Sequence, residues 1–287
     1  MAAALAAASP IGPEWDRLAA RSRAALVRQE RLALSSLPAA VKAATGPALL
    51  ALSRLPTAEP RATADAGIAL LRAAVPRLAK GFAAALAKRR ADTKGAAVGR
   101  MADEWRAVRA AVRARGYADP GALTAVGAAL THTDHAAVES TAGSYAAAWQ
   151  SATADALWTW AAAPEDGQGP ADAAAAAEDA QDYRVRRIAT TDTAQAYADA
   201  RDEAGHAAAR RHADAVWLPA ILKRWDATLD RRVCPRCRAL DGTLRPIGVD
   251  FAGGRDPGHV HPGCRCDSHL VFIPLRIPHD SDNAEAA

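Results

Sequence analysis

Cys234-Pro-Arg-Cys237 and His261-Pro-Gly-Cys264-Arg-Cys266 are the two stretches that decide the fold of the C-terminal part of this chain. They contain all 4 cysteines of the 287 residues. A disulfide framework would spread its cysteines over the body that it cross-links, and it is typical of small secreted domains. Two close pairs with a neighbouring histidine are instead typical of one tetrahedral zinc site, because zinc prefers thiolate and imidazole ligands. The spacing therefore predicts a metal site, with two disulfides or free thiols as the alternative.

Five side chains are candidate ligands for four positions around this metal: Cys234, Cys237, His261, Cys264 and Cys266. The first choice is the four cysteines, and the second replaces Cys266 by His261; spacing does not decide between them. A module of about 40 residues buries too little apolar surface to fold unaided, so the metal would supply its folding energy. The full set of protein ligands favours structural over catalytic zinc, because a catalytic site keeps one position open.

The composition predicts helices in the rest of the chain. The apolar fraction is 50%, much of it alanine, and aromatic residues make up 5%. Alanine is the best helix former but buries little area, so we expect thin seams between helices. No apolar run reaches the ~20 residues of a membrane span, and Met1–Ser9 lacks the basic start of a signal peptide. We therefore expect no membrane association and a reducing, intracellular setting, which favours thiolate ligands.

Prolines and glycines divide the helical part of the sequence. The predicted segments are a helix over 14–37, short helices broken at Pro38, Gly46-Pro47, Pro56 and Pro60, a helix pair over 63–88 interrupted near Pro76, a short helix over 101–115, a helical stretch over 122–160 broken near Gly127 and Gly143, one long helix over 171–213, and a short helix from Pro219 to about Leu229. The domain prediction is a helical region over 1–163 with one or two sub-bundles, a linker over 164–170, a domain over 171–275 and a disordered tail over 276–287.

The cysteine module carries β signals. Asp241-Gly242 favours a two-residue type I′ turn, which would join strands at 238–240 and 243–245 into a hairpin. Leu270-Val-Phe-Ile273 predicts a third strand. The predicted fold class is thus mainly α, with a helical N-terminal region, a long helix and a small C-terminal α+β module built as a zinc-knuckle-like β-hairpin.

Charge is distributed in blocks. Residues 72–115 contain 12 Lys/Arg against three acidic residues, whereas residues 116–182 contain 10 acidic residues and no Lys or Arg. Such blocks favour polyelectrolyte or protein partners of matching charge, or they pair with each other as solvated helix faces.

Two sets of residues resemble one family of phage proteins. They are Val233-Cys-Pro-Arg-Cys-Arg-Ala-Leu-Asp-Gly242 with His261-Pro-Gly-Cys-Arg-Cys266, and upstream Arg187-Ile-Ala-Thr-Thr-Asp-Thr-Ala-Gln-Ala-Tyr197, Arg201 and Trp225. Over about residues 183–275 the chain resembles the phage Mu F-like minor head proteins, also called phage head morphogenesis proteins. It departs from them at Thr190-Thr-Asp-Thr193, where the family often has Arg-Thr-Glu-Thr.

The resemblance implies a low-copy protein of the procapsid, associated with the portal and aiding head assembly or DNA delivery. The implied partners are the portal protein and other head proteins. The basic blocks predict a further partner, the DNA backbone, which they would contact through its phosphates without sequence preference. The implied location is the virion head, and the host cytoplasm during assembly. We expect no enzymatic activity and no small-molecule substrate.

Two other function classes are weaker hypotheses. A zinc-containing nucleic-acid-binding protein would place a recognition helix beside the cysteines, but residues 248–260 show no helix signal. A nuclease or transferase needs a coherent catalytic set, and none stands out. His132-Thr-Asp-His135 is a His-x-x-His pair on an expected helix, where such a pair is more often a polar face than a metal site.

Overall fold

The structure is a computed structural model that describes residues 13–123, 134–164, 167–227, 233–251 and 256–273. Its long helices are α1 (Pro13–Leu52), α2 (Pro60–Arg113), α3 (His135–Ala162) and α4 (Pro170–Arg211). A short 3-10 turn (Leu218–Ala220) leads into β1 (Ile221–Asp226), which is followed by α5 (Pro235–Leu240), β2 (Leu244–Pro246) and β3 (Asp267–Phe272). The predicted mainly α fold with a small C-terminal α+β part is confirmed, as is the single long helix after the linker.

The predicted breaks at Pro56 and Pro60 are confirmed, because α1 ends before the first and α2 begins at the second, but the breaks predicted at the other prolines were wrong. α1 continues through Pro38 and Pro47, and α2 runs through Pro76 as one helix of 54 residues. An internal proline costs about 3 kcal/mol through one lost hydrogen bond and a clash. Burial along the inner face of each helix offsets this cost, and Pro47 and Pro76 lie on the exposed face.

The structure describes only some of the glycines and histidines that the sequence analysis singled out near the start of α3. α3 passes through Gly143 without a break, against the expectation from sequence. Gly127 and His132 lie outside the described residues, as does the tail over 276–287. His135 is the first residue of α3, after Asp134, whose side chain caps the helix by accepting from the Ala137 N–H.

The chain forms two compact units, each assembled from separate stretches. The bundle unit comprises Val27–Thr93 and His132–Thr193, and the sheet unit comprises Met1–Leu26, Lys94–Thr131 and Ala194–Ala287. The domain boundaries expected from the sequence stay a prediction.

The bundle unit packs parts of the four long helices around an apolar core. Phe82 of α2 lies against Tyr145 of α3, with 4.9 Å between ring centroids. The buried Glu178 of α4 accepts hydrogen bonds from Thr45 Oγ1 on α1 (3.1 Å) and from Trp149 Nε1 on α3 (3.3 Å). This carboxylate therefore ties three helices together, in agreement with the rule that buried polar groups are hydrogen-bonded.

The sheet unit contains an antiparallel sheet in the order β2-β1-β3. β1 is central, with Lys223 opposite Arg245 of β2 and opposite Leu270 of β3. The predicted third strand is confirmed as β3, which begins earlier, at Asp267. The helix predicted from Pro219 was wrong, because Ile221–Asp226 pairs as the central strand and buries Ile221 and Trp225 completely.

The predicted hairpin was also wrong. Residues 238–240 belong to α5, and β2 pairs with β1 instead. Asp241 has φ −56° and ψ 133°, Gly242 has φ 75°, and the Thr243 N–H donates to the Leu240 carbonyl at 3.0 Å. These values define a type II turn, because type I′ needs positive φ at both central residues.

A buried charge network joins the separate stretches of the sheet unit. Arg201 of α4 contacts Glu104 of α2 (Nη2 to Oε2, 2.6 Å) and Asp267 of β3 (Nε to Oδ1, 3.3 Å). The three side chains are at most 3% exposed. Ser22 of α1 donates to Asp267 Oδ2 at 2.6 Å, and the backbone N–H of Leu270 donates to Glu104 Oε2 at 2.8 Å. The network thus connects three helices to one edge of the sheet.

His269 of β3 is a buried histidine beside this network. It is 2% exposed, and neither ring nitrogen makes a hydrogen bond within the described residues. Its Nδ1 lies 3.9 Å from Asp226 Oδ2. Burial, together with the positive charges of Arg201, Arg224 and Arg23, lowers the pKa of His269 to about 3. The folded chain therefore holds this imidazole neutral.

We predict that His269 makes the fold sensitive to acid. Below about pH 6.5 the unfolded chain binds a proton at this histidine that the folded chain does not, so stability falls as the pH falls, by about 1.4 kcal/mol per pH unit. Between about pH 7 and pH 5 the wild type should lose about 2 kcal/mol more of its unfolding free energy than His269→Gln. Urea unfolding at both pH values measures this difference, and equal losses in the two proteins would contradict it.

Candidate metal centre

The first half of the candidate centre is the turn that starts α5. Cys234 is the N-terminal cap of this helix, with Pro235 in the first turn, where its missing N–H is not needed. The Cys237 N–H donates to Cys234 Sγ at 3.3 Å. The Cys-x-x-Cys spacing therefore folds into a knuckle whose backbone already stabilises negative charge on a sulfur.

The second half is the turn before β3. The Cys264 N–H donates to the His261 carbonyl at 3.0 Å, and Gly263 between them has φ 75°, which a side chain would strain. This turn buries Cys264 and Cys266, which are 1% and 3% exposed. All four cysteines are free.

Cys237 stands between the two halves. Its Sγ lies 3.8 Å from Cys264 Sγ and 3.4 Å from His261 Nε2. In tetrahedral zinc sites, with bonds of about 2.3 Å to sulfur and about 2.0 Å to nitrogen, ligand atoms lie about 3.5–3.8 Å apart. Two trios have donor atoms within 4.8 Å of one another: Cys234, Cys237 and His261, and Cys237, Cys264 and Cys266. The structure thus brings the five predicted residues into one cluster that can hold a metal ion.

His261 is oriented as a metal-binding histidine is. Its Nδ1 lies 2.9 Å from the Pro262 carbonyl oxygen, so the ring proton belongs on Nδ1 and the Nε2 lone pair faces Cys237 Sγ. The Pro262 carbonyl, above all, raises the pKa of His261. Metal-ligating histidines typically donate their other N–H to such a partner.

The thiols differ in their electrostatics. Hydrogen bonding from the Cys266 thiol, with support from the backbone N–H groups of Cys266 and Gly258, lowers the pKa of Cys264 to about 5. Burial raises the pKa of Cys237 to about 12, and the hydrogen bond to Cys264 raises the pKa of Cys266. One thiolate is thus already favoured in the cluster, and thiolates are the form that binds metal.

The centre has its own apolar support and docks on α4. Trp225 and Phe251 pack edge to face beside the cysteines, with centroids 5.0 Å apart. A Cβ at Gly258 (φ 88°) would lie 2.9 Å from the Ala194 carbonyl oxygen, so only glycine permits this approach. His259 Nε2 lies 2.6 Å from Asp199 Oδ1 on the same helix. The module is therefore docked on the long helix α4.

Lys223 and its acidic partners, which lie beside the centre, gave no signal in the sequence. Lys223 of β1 is buried and contacts Asp202 (2.6 Å) and Asp256 (3.0 Å). Arg265 lines the same small cavity as Cys234, Cys237 and His261. The Lys223 contacts join α4, β1 and a loop, and no local pattern predicts which stretches meet.

We predict that His261 is a ligand and that Cys266 is outside the set. His261→Ala should shift the visible bands of the cobalt-substituted protein and weaken metal binding, whereas Cys266→Ser should keep the spectrum of a three-sulfur, one-nitrogen site. The reason is that Nε2 of His261 lies 3.4 Å from Cys237 Sγ, while the Pro262 carbonyl holds the other ring nitrogen. Loss of the cobalt bands in Cys266→Ser, with an unchanged spectrum in His261→Ala, would instead establish the four-cysteine set.

A comparison with protein families finds a match in the C-terminal part of the chain. Residues 157–269 match the family model described as Phage Mu protein F like protein. The match runs from the end of α3 to β3 and includes the five candidate ligands, so the predicted resemblance is confirmed for the C-terminal part and begins further upstream. It supports a role as a phage head protein. No curated protein and no solved structure matches the chain.

Within the described residues, no helix has the length and apolar character that a bilayer span requires.

Proposed function

We propose that this chain, whose residues 157–269 match the Mu F-like family, is a minor head protein of a tailed phage or prophage. It associates with the portal at low copy and aids procapsid assembly or DNA delivery. One observation carries the proposal: the family match covers both the cysteine-histidine centre and α4, the helix on which that centre docks.

The metal in this proposal is structural zinc. It is held by Cys234, Cys237 and Cys264 together with His261, and it cross-links α5 to the turn before β3. Bound zinc supplies a rigid link between these two segments and leaves no position for a substrate, because the protein donates the full ligand set. The module then presents one fixed surface to other head proteins.

The first test is peptide mass spectrometry on particles from an induced source strain, separated into proheads, virions and soluble lysate. We expect enrichment in proheads or virions, at low copy relative to the shell protein. Presence in the soluble fraction alone would contradict a structural role in the head. Cross-linking of enriched proheads then tests the portal as the neighbour.

A second candidate function is contact with the DNA backbone at the metal centre. Arg236 and Arg238 on α5 are exposed, and neither forms an ion pair within the described residues. Phosphate contacts of this type lack sequence preference and weaken steeply with salt. The double variant Arg236→Gln/Arg238→Gln should reduce duplex binding and its salt dependence. Unchanged binding, or no binding by the wild type, would reject this surface.

A further inference from the structure

A second cluster of metal-ligating side chains lies in the sheet unit, apart from the cysteine centre. Asp202 and His206 are one turn apart on α4, and Asp250 follows β2. One donor atom from each of the three lies within 4.8 Å of the other two. His206 Nε2 is 3.1 Å from Asp202 Oδ2 and 3.6 Å from Asp250 Oδ1. Donor atoms about 2.1 Å from one cation lie about 3.0 Å apart at octahedral angles and about 3.4 Å apart at tetrahedral angles.

The backbone is built to bring Asp250 to this helix. Gly248 has φ 80°, and a Cβ there would lie 2.8 Å from Ala209 Cβ. At Gly205 of α4 an added Cβ would lie 3.4 Å from Ile247 Cγ1. Two glycines thus let the segment after β2 lie directly on α4, and Asp250 reaches His206 as a consequence.

Hydrogen bonding leaves part of this arrangement unexplained. A single Nε2–H donates well to one carboxylate, yet the same nitrogen lies close to two. Lys223 Nζ lies 2.6 Å from Oδ1 of Asp202, the carboxylate oxygen that does not contact His206. The same ammonium group lies 3.0 Å from Asp256 Oδ1. Two carboxylates therefore share this one ammonium group, and Asp250 adds a third carboxylate on the His206 side of the cluster.

We propose that Asp202, His206 and Asp250 form a binding site for a divalent cation of the class that takes carboxylate and imidazole ligands, such as Mn²⁺. The cation replaces the proton at Nε2, accepts one donor atom from each side chain and keeps water in its other positions. Lys223 holds Asp202 so that Oδ2 points to the cation. Bound metal clamps the segment over 247–250 to α4. The site shares no ligand with the cysteine centre, so this inference does not depend on the proposed function.

The test uses the full-length, zinc-loaded chain titrated with Mn²⁺ and followed by the EPR signal of free Mn²⁺. We expect one bound Mn²⁺ per chain and a higher melting temperature, because the ligand binds the folded state. His206→Ala and Asp250→Asn should each weaken binding by about tenfold or more. Glu203→Gln is the matched control, since it removes one exposed carboxylate from the same helix without touching the three donors.

Zinc content measured on the same samples separates the two sites. Loss of Mn²⁺ binding with full zinc content in Asp250→Asn supports the proposal. Equal Mn²⁺ binding by the wild type, His206→Ala and Asp250→Asn would overturn it, as would the absence of bound Mn²⁺ in the wild type. In either of those cases the cluster is a hydrogen-bonded histidine–aspartate pair with a second carboxylate nearby.

Discussion

Arg201→Met should lower the free energy of unfolding by about 3–5 kcal/mol. The substitution keeps the apolar stem of the side chain but removes the guanidinium that pairs with Glu104 and Asp267. Both carboxylates then stay buried without their cation, since Glu104 is fully buried and Asp267 is 2% exposed. The cost is this uncompensated charge rather than the net value of the ion pairs, which desolvation largely cancels.

Urea unfolding measures this loss of unfolding free energy, and hydrogen exchange shows whether the sheet unit is the part that is destabilised. Arg186→Met is the matched control, because Arg186 pairs with Asp182 on the exposed face of α4 and such pairs contribute about 0–1 kcal/mol. Adding Glu104→Gln to Arg201→Met should recover part of the loss by removing one unpaired charge. A loss no larger than that of Arg186→Met would show that the network is hydrated and does not hold the unit together.

Cys237→Ser should abolish zinc binding and the order of the module around it. Cys237 is the residue that the two trios of candidate ligands share, and its Sγ joins the turn that starts α5 to His261 and Cys264 in the second half of the centre. Structural zinc sites contribute on the order of 10 kcal/mol or more of folding free energy. We therefore expect loss of hydrogen-exchange protection over residues 233–251 and 256–273, and removal of the metal by a chelator should have the same effect.

The control for this variant is Ala239→Ser, which introduces the same side chain at an exposed position of α5. It should keep one equivalent of zinc and full protection. If metal-free Cys237→Ser retained protection in the module, the apolar contacts of Trp225 and Phe251 would suffice for folding and the metal would have another role.

Local patterns predicted those features that depend on residues close in sequence. The spacing of the cysteines and His261 defines two short turns, and a turn is set by the few residues within it. The long helix over 170–211 follows from a continuous run of good helix formers after a Pro-Gly linker. The third strand follows from the β-branched and aromatic residues near its end.

Other features were decided by contacts between residues far apart. Pro38, Pro47 and Pro76 stay within helices because burial along each helix outweighs a local penalty, and that burial depends on the neighbouring helices. Residues 221–226 carry apolar side chains that suit a helix or a strand, and pairing with both β2 and β3 selects the strand.

The sequence by itself determined which cysteines and histidine form a cluster, the mainly helical fold and the match of the C-terminal part to the Mu F-like family. Only the tertiary structure decided which residues from distant parts of the sequence lie in contact. Arg201 lies within the matched residues, but its partner Glu104 lies outside them, and Asp250 meets His206 only because Gly248 packs on α4. The physical reason is range: turns and helix propensity depend on neighbours in the chain, whereas charge pairing and close backbone contacts depend on distances that folding alone creates.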